Sequence, residues 1–111
     1  MRGTMPRPLR RVFPGGVHHV TIRGNNRQPV FLDSADRQRY CQELIRCHRE
    51  FSCRLLAYAL MPNHIHLVLQ DEQGQLSRYM QALNARSTRS FNHRHQRVGH
   101  LYQGRFYAKL V

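Results

Sequence analysis

The stretch LMPNHIHLVL, residues 60–69, decides both the fold and the first functional hypothesis. Residues 64–69 are aliphatic apart from His64 and His66, a pattern that predicts a β-strand. Because side chains alternate along a strand, the two histidines share one face while Ile65 and Leu67 occupy the other. Two imidazoles about 6.5–7 Å apart on one sheet face can ligate a single divalent ion. The stretch therefore predicts a metal site on one face of a sheet.

The residues on both sides of this strand predict the order β-α-β-β-α-β. A β-branched run at 17–22 and a run at 53–61 predict two further strands, and 101–111 predicts a fourth with a kink at Gly104. Asp33 or Ser34 can cap a first helix, whose apolar stripe is Tyr40, Cys41, Leu44, Ile45, Cys47 and Phe51. A second helix is predicted at 76–91, followed by a basic turn at 91–99.

This order is the ferredoxin-like α+β arrangement, a four-stranded antiparallel sheet with two helices on one face. We expect residues 1–16 to form a basic N-terminal arm and residues 17–111 to form one domain. Ser87 and Ser90 interrupt the apolar stripe of the second helix, so its C-terminal end is predicted to be weakly anchored. His64 and His66 should lie on the free face of the sheet, a surface on which single-stranded nucleic acid can bind.

The charge of the chain favours a polyanionic partner. The formal net charge is +12, and all six acids fall between Asp33 and Glu72, which leaves both ends of the sequence purely basic. Seventeen of the 18 basic residues are arginines, which bind phosphate in a bidentate manner and stack on bases. The predicted nucleic-acid contacts are Arg23, Gly24, Asn25, Asn26, Arg27, Arg86, Arg89 and Arg105. For the arginines, a solvated surface is the alternative.

Other features bound the cellular context. Cys41, Cys47 and Cys53 form no CxxC pair, and we interpret them as small buried side chains in a reducing cytoplasm. The sequence contains neither a secretory signal nor an apolar run long enough for a membrane span. His18 and His19 open the first strand and are interpreted as structural, with an approach to the open face as the alternative.

Several segments together resemble a known family. They are MPRPLR (5–10), FPG (13–15), HVTIRGN (19–25), LMPNHIH (60–66), FNHRH (91–95) and GHLYQGRF (99–106). In order and spacing they are similar to the single-tyrosine His-hydrophobic-His transposases, most closely the REP-associated tyrosine transposases. The resemblance covers nearly the whole chain.

The resemblance implies cleavage and rejoining of single-stranded DNA, often beside a hairpin. His64 and His66 would hold Mg²⁺ or Mn²⁺ at the scissile phosphate, and a tyrosine would form a 5′-phosphotyrosine link. The family carries that tyrosine on a helix after the fourth strand, in a motif that none of the five tyrosines here matches. We therefore expect a C-terminally truncated transposase that lacks strand transfer, with its oligomeric state open. The alternative is a non-catalytic single-stranded nucleic-acid-binding protein.

Overall fold

The computed structural model describes residues 15–111. The predicted basic arm, residues 1–16, therefore lies outside the described residues except for its last two glycines. The elements are β1 (Gly16–Arg23), α1 (Ser34–Glu50), β2 (Cys53–Leu60), β3 (His64–Asp71), α2 (Leu76–His95) and β4 (Tyr107–Leu110). A 3₁₀ turn, Asn25–Arg27, follows β1.

The predicted ferredoxin-like fold is confirmed. The strands form one antiparallel sheet in the order β2-β3-β1-β4, and both helices pack on the same side of it. The core between the two layers includes Val20, Ile22, Ile65, Leu67 and Leu69 from the central strands. As predicted, Ile65, Leu67 and Leu69 alternate with the two histidines of β3, so the histidines lie on the face opposite the helices, which we name the open face.

An aspartate side chain caps the N-terminus of each helix. The Asp33 side chain caps α1 by accepting the Asp36 backbone N–H at 3.0 Å, as the sequence predicts. Asp71 is fully buried at the end of β3. Its carboxylate accepts the backbone N–H groups of Gln75 and Leu76 at 2.7 and 3.1 Å. Gln75 itself supplies no side-chain cap, so Asp71 caps α2 from outside the helix.

The prediction of a weakly anchored end of α2 is wrong. The helix continues through Asn92 to His95, where a basic turn was expected. Ser87 is buried and lies 2.9 Å from the Tyr102 hydroxyl, so a polar pair replaces the missing apolar contact. Arg94 contacts the carboxylates of Asp33 and Asp36 at 2.8 and 2.7 Å. Its guanidinium and the Asp36 N–H hold the pKa of Asp33 at about 2.

Two further boundaries differ from prediction. The fourth strand is only Tyr107–Leu110, because the chain turns at Gly104 (φ +49°) and only an isolated bridge joins Tyr102 to Gly24. Ile45 is 52% exposed and lies off the buried stripe of α1. Cys47 and Cys53 are buried as predicted, while Cys41 is half-buried. None of the helices in residues 15–111 has the length and apolarity needed to cross a bilayer.

Candidate metal site and nucleic-acid interface

Three histidines meet on the open face of the sheet. His64 and His66 stand on β3 with their ring centroids 4.9 Å apart and their planes perpendicular. His19, from β1, stacks on His66 at 5.1 Å, and its Nε2 lies 3.0 Å from His66 Nδ1. The alternative weighed for His18 and His19, an approach to the open face, is therefore correct for His19, while its hydrogen bond to His66 is also compatible with a structural role. Its position could have been found by pairing β1 with β3, which puts Thr21 opposite His66 and His19 on the same face.

In both His64 and His66, the Nδ1 atom lies within hydrogen-bonding distance of a neighbouring side chain. His64 Nδ1 donates to Asn63 Oδ1 at 3.0 Å, an arrangement that leaves the Nε2 lone pair of His64 available. His66 Nδ1 faces His19 Nε2, and when Nδ1 donates, His66 Nε2 is likewise a lone-pair donor for an ion. Burial lowers the pKa of His66, and His64, His19 and Arg23 lower it further, which favours the neutral form of this ring.

The His64 and His66 imidazoles can supply two ligands of a divalent ion but not a complete protein coordination shell. Among residues 15–111, no group of three or more His, Cys, Asp or Glu side chains is arranged to hold a metal ion. A site with two protein imidazoles keeps most coordination positions open, which suits an ion that must also bind phosphate oxygens.

The predicted loop at residues 23–27 begins at the end of β1 that lies beside the start of β3, where the histidines stand. Arg23 pairs with His64 across β1 and β3, so both side chains share the open face. The Gly24 N–H donates to the Asn63 carbonyl at 2.9 Å, which fixes the loop beside the start of β3. Asn26 and Arg27 are exposed and have φ values of 54° and 58°, a left-handed conformation that Asn tolerates and Arg adopts less readily.

Gly24 is required by close packing. A Cβ built on it would lie 2.2 Å from the Gln28 carbonyl oxygen and 3.1 Å from Val30 Cγ1. We expect Gly24→Ala to displace the loop from Asn63 and to lower the free energy of unfolding by about 2–3 kcal/mol. Urea denaturation measures this loss. Asn26→Gly is a suitable control, because glycine adopts the left-handed conformation of residue 26 without strain, whereas Gly15→Ala is unsuitable because the φ of Gly15 is +80°. A Gly24→Ala variant as stable as the parent chain would contradict the packing argument.

The structure divides the remaining predicted contacts between two sides of the molecule. Arg105 is exposed and lines a cleft with Arg23 beside the open face. Arg86 and Arg89 instead line a groove on the helical layer, away from the histidines. There Arg86 contacts Glu50 of α1 at 2.8 Å. Arg86 and Arg89 therefore do not join the site formed by His64, His66 and Arg23.

The open face contains no carboxylate. Of the six acids in the chain, Asp33, Asp36, Glu43 and Glu50 lie on α1 or its N-terminal cap. Asp71 is buried on the helical side and Glu72 follows the end of β3. Arg23, Arg54 and Lys109 share the open face with the histidines by strand register. A phosphate approaching this face therefore meets only neutral and positive side chains.

The sequence of residues 15–111 matches the family described as "Transposase IS200 like". The chain belongs to the IS200-like transposase family. The match covers all of the described residues and confirms the transposase resemblance drawn from the sequence motifs. No curated protein matches the chain in sequence.

Two solved structures share the fold of this IS200-like transposase chain. One is a REP-associated tyrosine transposase bound to a REP hairpin, with a TM-score of 0.74 and 19% identity over 96% of this chain and 62% of that one. The other is a candidate transposase from Deinococcus radiodurans R1, with a TM-score of 0.69 and 18% identity over 98% of this chain and 86% of that one. The chain thus spans about three fifths of the length of the REP-associated transposase.

Proposed function

We propose that residues 17–111 are the metal- and DNA-binding domain of a tyrosine transposase of the REP-associated kind, which cleaves and rejoins single-stranded or hairpin DNA. The observation that carries the proposal is the shared face of His64, His66 and Arg23, which contains no carboxylate. A histidine pair that binds metal beside a guanidinium that binds phosphate is the chemistry that phosphodiester transfer requires. The hairpin-bound transposase of the same fold supports DNA as the partner.

In this proposal the Nε2 atoms of His64 and His66 hold Mg²⁺ or Mn²⁺. The ion would polarise a non-bridging phosphate oxygen and offset the charge that develops on it. Asn63 orients the His64 ring through Nδ1, and His19 orients the His66 ring in the same way. Arg23 binds the phosphate from the neighbouring strand, since it stands opposite His64.

The nucleophile is not assigned to any of the five tyrosines. Tyr40, Tyr79 and Tyr102 are buried, and burial raises the pKa of each phenol. Tyr58 stands opposite Leu67 and so lies on the helical side of the sheet. Tyr107 is on the open face but two strand spacings, about 10 Å, from His66. We therefore propose that the 111 residues bind DNA and metal but do not transfer strands.

Two gel assays on one sample test the proposed function. An end-labelled hairpin with single-stranded flanks is incubated with the chain in Mn²⁺ or in chelator. We expect a shift on a native gel that weakens steeply with salt, because phosphate contacts release counterions, and no covalent adduct on a denaturing gel. A Mn²⁺-dependent adduct would show that one of the five tyrosines is competent, and absence of any DNA complex would overturn the proposal.

The second candidate function is a non-catalytic single-stranded DNA-binding protein. It is favoured by the absence, within residues 15–111, of a third metal-ligating side chain at the histidine pair. Such a protein would bind the hairpin equally well in Mn²⁺ and in chelator. Transposase chemistry instead predicts tighter binding in Mn²⁺, because the ion adds a contact to the phosphate.

We also propose a cytoplasmic location, supported by the three free cysteines, of which Cys47 and Cys53 are buried.

A further inference from the structure

A cleft runs along the open face between β1 and the segment that leads into β4. It is lined by Thr21, Arg23, Gln103, Gly104, Arg105 and Tyr107. The Gln103 N–H donates to the Arg23 carbonyl at 2.8 Å, so the cleft has a hydrogen-bonded backbone floor. All its side chains are polar or aromatic, and two of them are guanidinium groups.

Tyr107 is the exposed aromatic group of this cleft. It stands on β4 opposite Thr21, which itself stands opposite His66, so the three form one row across the sheet. Its side chain is 67% exposed, although an edge-strand tyrosine could have packed against the core. Phe106, one residue earlier, takes that inward position and packs against the core. The phenol ring of Tyr107 is therefore presented to solvent beside two arginines.

We propose that this cleft is a nucleotide subsite for single-stranded DNA, in which one base stacks on Tyr107 and an adjacent phosphate binds Arg105 and Arg23. The inference rests on the proposed function, which it extends by assigning a place to a nucleotide next to the phosphate held at the histidine pair. The row from Tyr107 through Thr21 to His66 sets that spacing at two strands, about 10 Å.

The chemistry of the cleft fits a nucleotide better than other anionic ligands. A free phosphate or an acidic peptide would use the guanidinium groups but leave the ring of Tyr107 without a partner. A base has a planar π surface, and base–aromatic stacking contributes without regard to sequence. The Gln103 amide offers both a donor and an acceptor to the edge of such a base. Duplex DNA does not fit, because its bases are already stacked on one another.

The experiment separates stacking from other roles of the tyrosine. Fluorescence anisotropy in chelator measures the affinity of each variant for a labelled hairpin with a single-stranded tail. We expect Tyr107→Ala to weaken binding about tenfold and Tyr107→Phe to bind within twofold of the parent chain, since the ring suffices for stacking. A 2-aminopurine scan of the tail should give quenching at one position with the parent chain and Tyr107→Phe, and lose it with Tyr107→Ala.

Matched controls lie on the other side of the molecule. Tyr58 is also an exposed strand tyrosine, at 53%, and Tyr58→Ala should bind DNA as the parent chain does. Arg105→Ala should reduce the slope of log affinity against log salt by about 0.7, the value for one phosphate contact on a single strand, whereas Arg49→Ala on α1 should not.

Three results would overturn the subsite. Tyr107→Ala could bind like the parent chain, or Tyr107→Phe could lose as much affinity as Tyr107→Ala, which would assign the hydroxyl and not the ring. A covalent DNA adduct that disappears in Tyr107→Phe would assign the tyrosine as nucleophile instead. If the parent chain itself fails to bind the hairpin, the proposed function fails as well. If the parent chain binds the hairpin and the Tyr107 substitutions leave its affinity unchanged, only the subsite fails.

Discussion

Replacing His66 by alanine is expected to remove Mn²⁺ binding by this chain, with an affinity loss of at least about 100-fold. In the proposed site only His64 and His66 ligate the ion, so loss of His66 leaves a single protein ligand. Changes in residues that only orient a metal ligand typically cost 10- to 100-fold in affinity, so loss of a ligand should cost at least as much. Isothermal titration with Mn²⁺ measures the effect directly.

The control for His66→Ala is a second histidine far from the site. His48 is exposed on α1, and His48→Ala should bind Mn²⁺ as the parent chain does. Thermal unfolding of both variants should show that they fold, since the His66 ring is only half-buried. If His66→Ala bound Mn²⁺ with unchanged affinity, the assignment of the metal site to β3 would be wrong.

Asp71→Ala should destabilise the fold by about 3 kcal/mol. The substitution removes both acceptors of the Gln75 and Leu76 N–H groups and leaves two donors at the start of α2 without a partner. Each such loss costs about 1–3 kcal/mol when the group is buried. The Cys53 thiol also lies 3.6 Å from the Asp71 carboxylate; burial, reinforced by that charge, raises the pKa of Cys53 to about 12.

Urea denaturation of Asp71→Ala checks this value, and the accompanying fall in Tm should be about 12–24 °C for a domain of this size. The neighbouring Glu72 is exposed, so Glu72→Ala should change stability by no more than about 0.5 kcal/mol. Asp71→Asn keeps one acceptor oxygen, so its loss of stability should lie between those of Asp71→Ala and Glu72→Ala. A loss below 1 kcal/mol for Asp71→Ala would show that the start of α2 is held by other contacts.

The sheet could be predicted from sequence because local patterns decide it. The alternation around His64 and His66 determines which side of β3 is buried, and the proline before it marks the tight link to β2. The order of elements then leaves few topologies, and the family motifs select among them. The shared face of His64 and His66 and the loop that begins at Arg23 were predicted in this way, since both depend on residues close together in the chain.

Features that depend on contacts between distant segments could not be predicted. The last turn of α2 has no apolar repeat, and it is helical because Arg94 and His95 reach the acids at the start of α1. The contact of Arg86 with Glu50 could not be predicted either, because the two residues lie 36 positions apart in sequence. His19 joins the site only because β1 pairs with β3 in one particular register.

Contacts between α2 and the segment after it link local unfolding of that helix to the cleft proposed as a nucleotide subsite. Arg97 bonds to Asn92 and to Gln28 at 2.6 and 3.1 Å, and Ser87 lies within hydrogen-bonding distance of Tyr102. A transient opening of the last turns of α2 therefore releases the loop and the cleft together while the central strands stay paired. Amide protons of this region should exchange with solvent as one cooperative unit, so a substitution on the helical layer is expected to disturb the proposed nucleotide subsite from a distance.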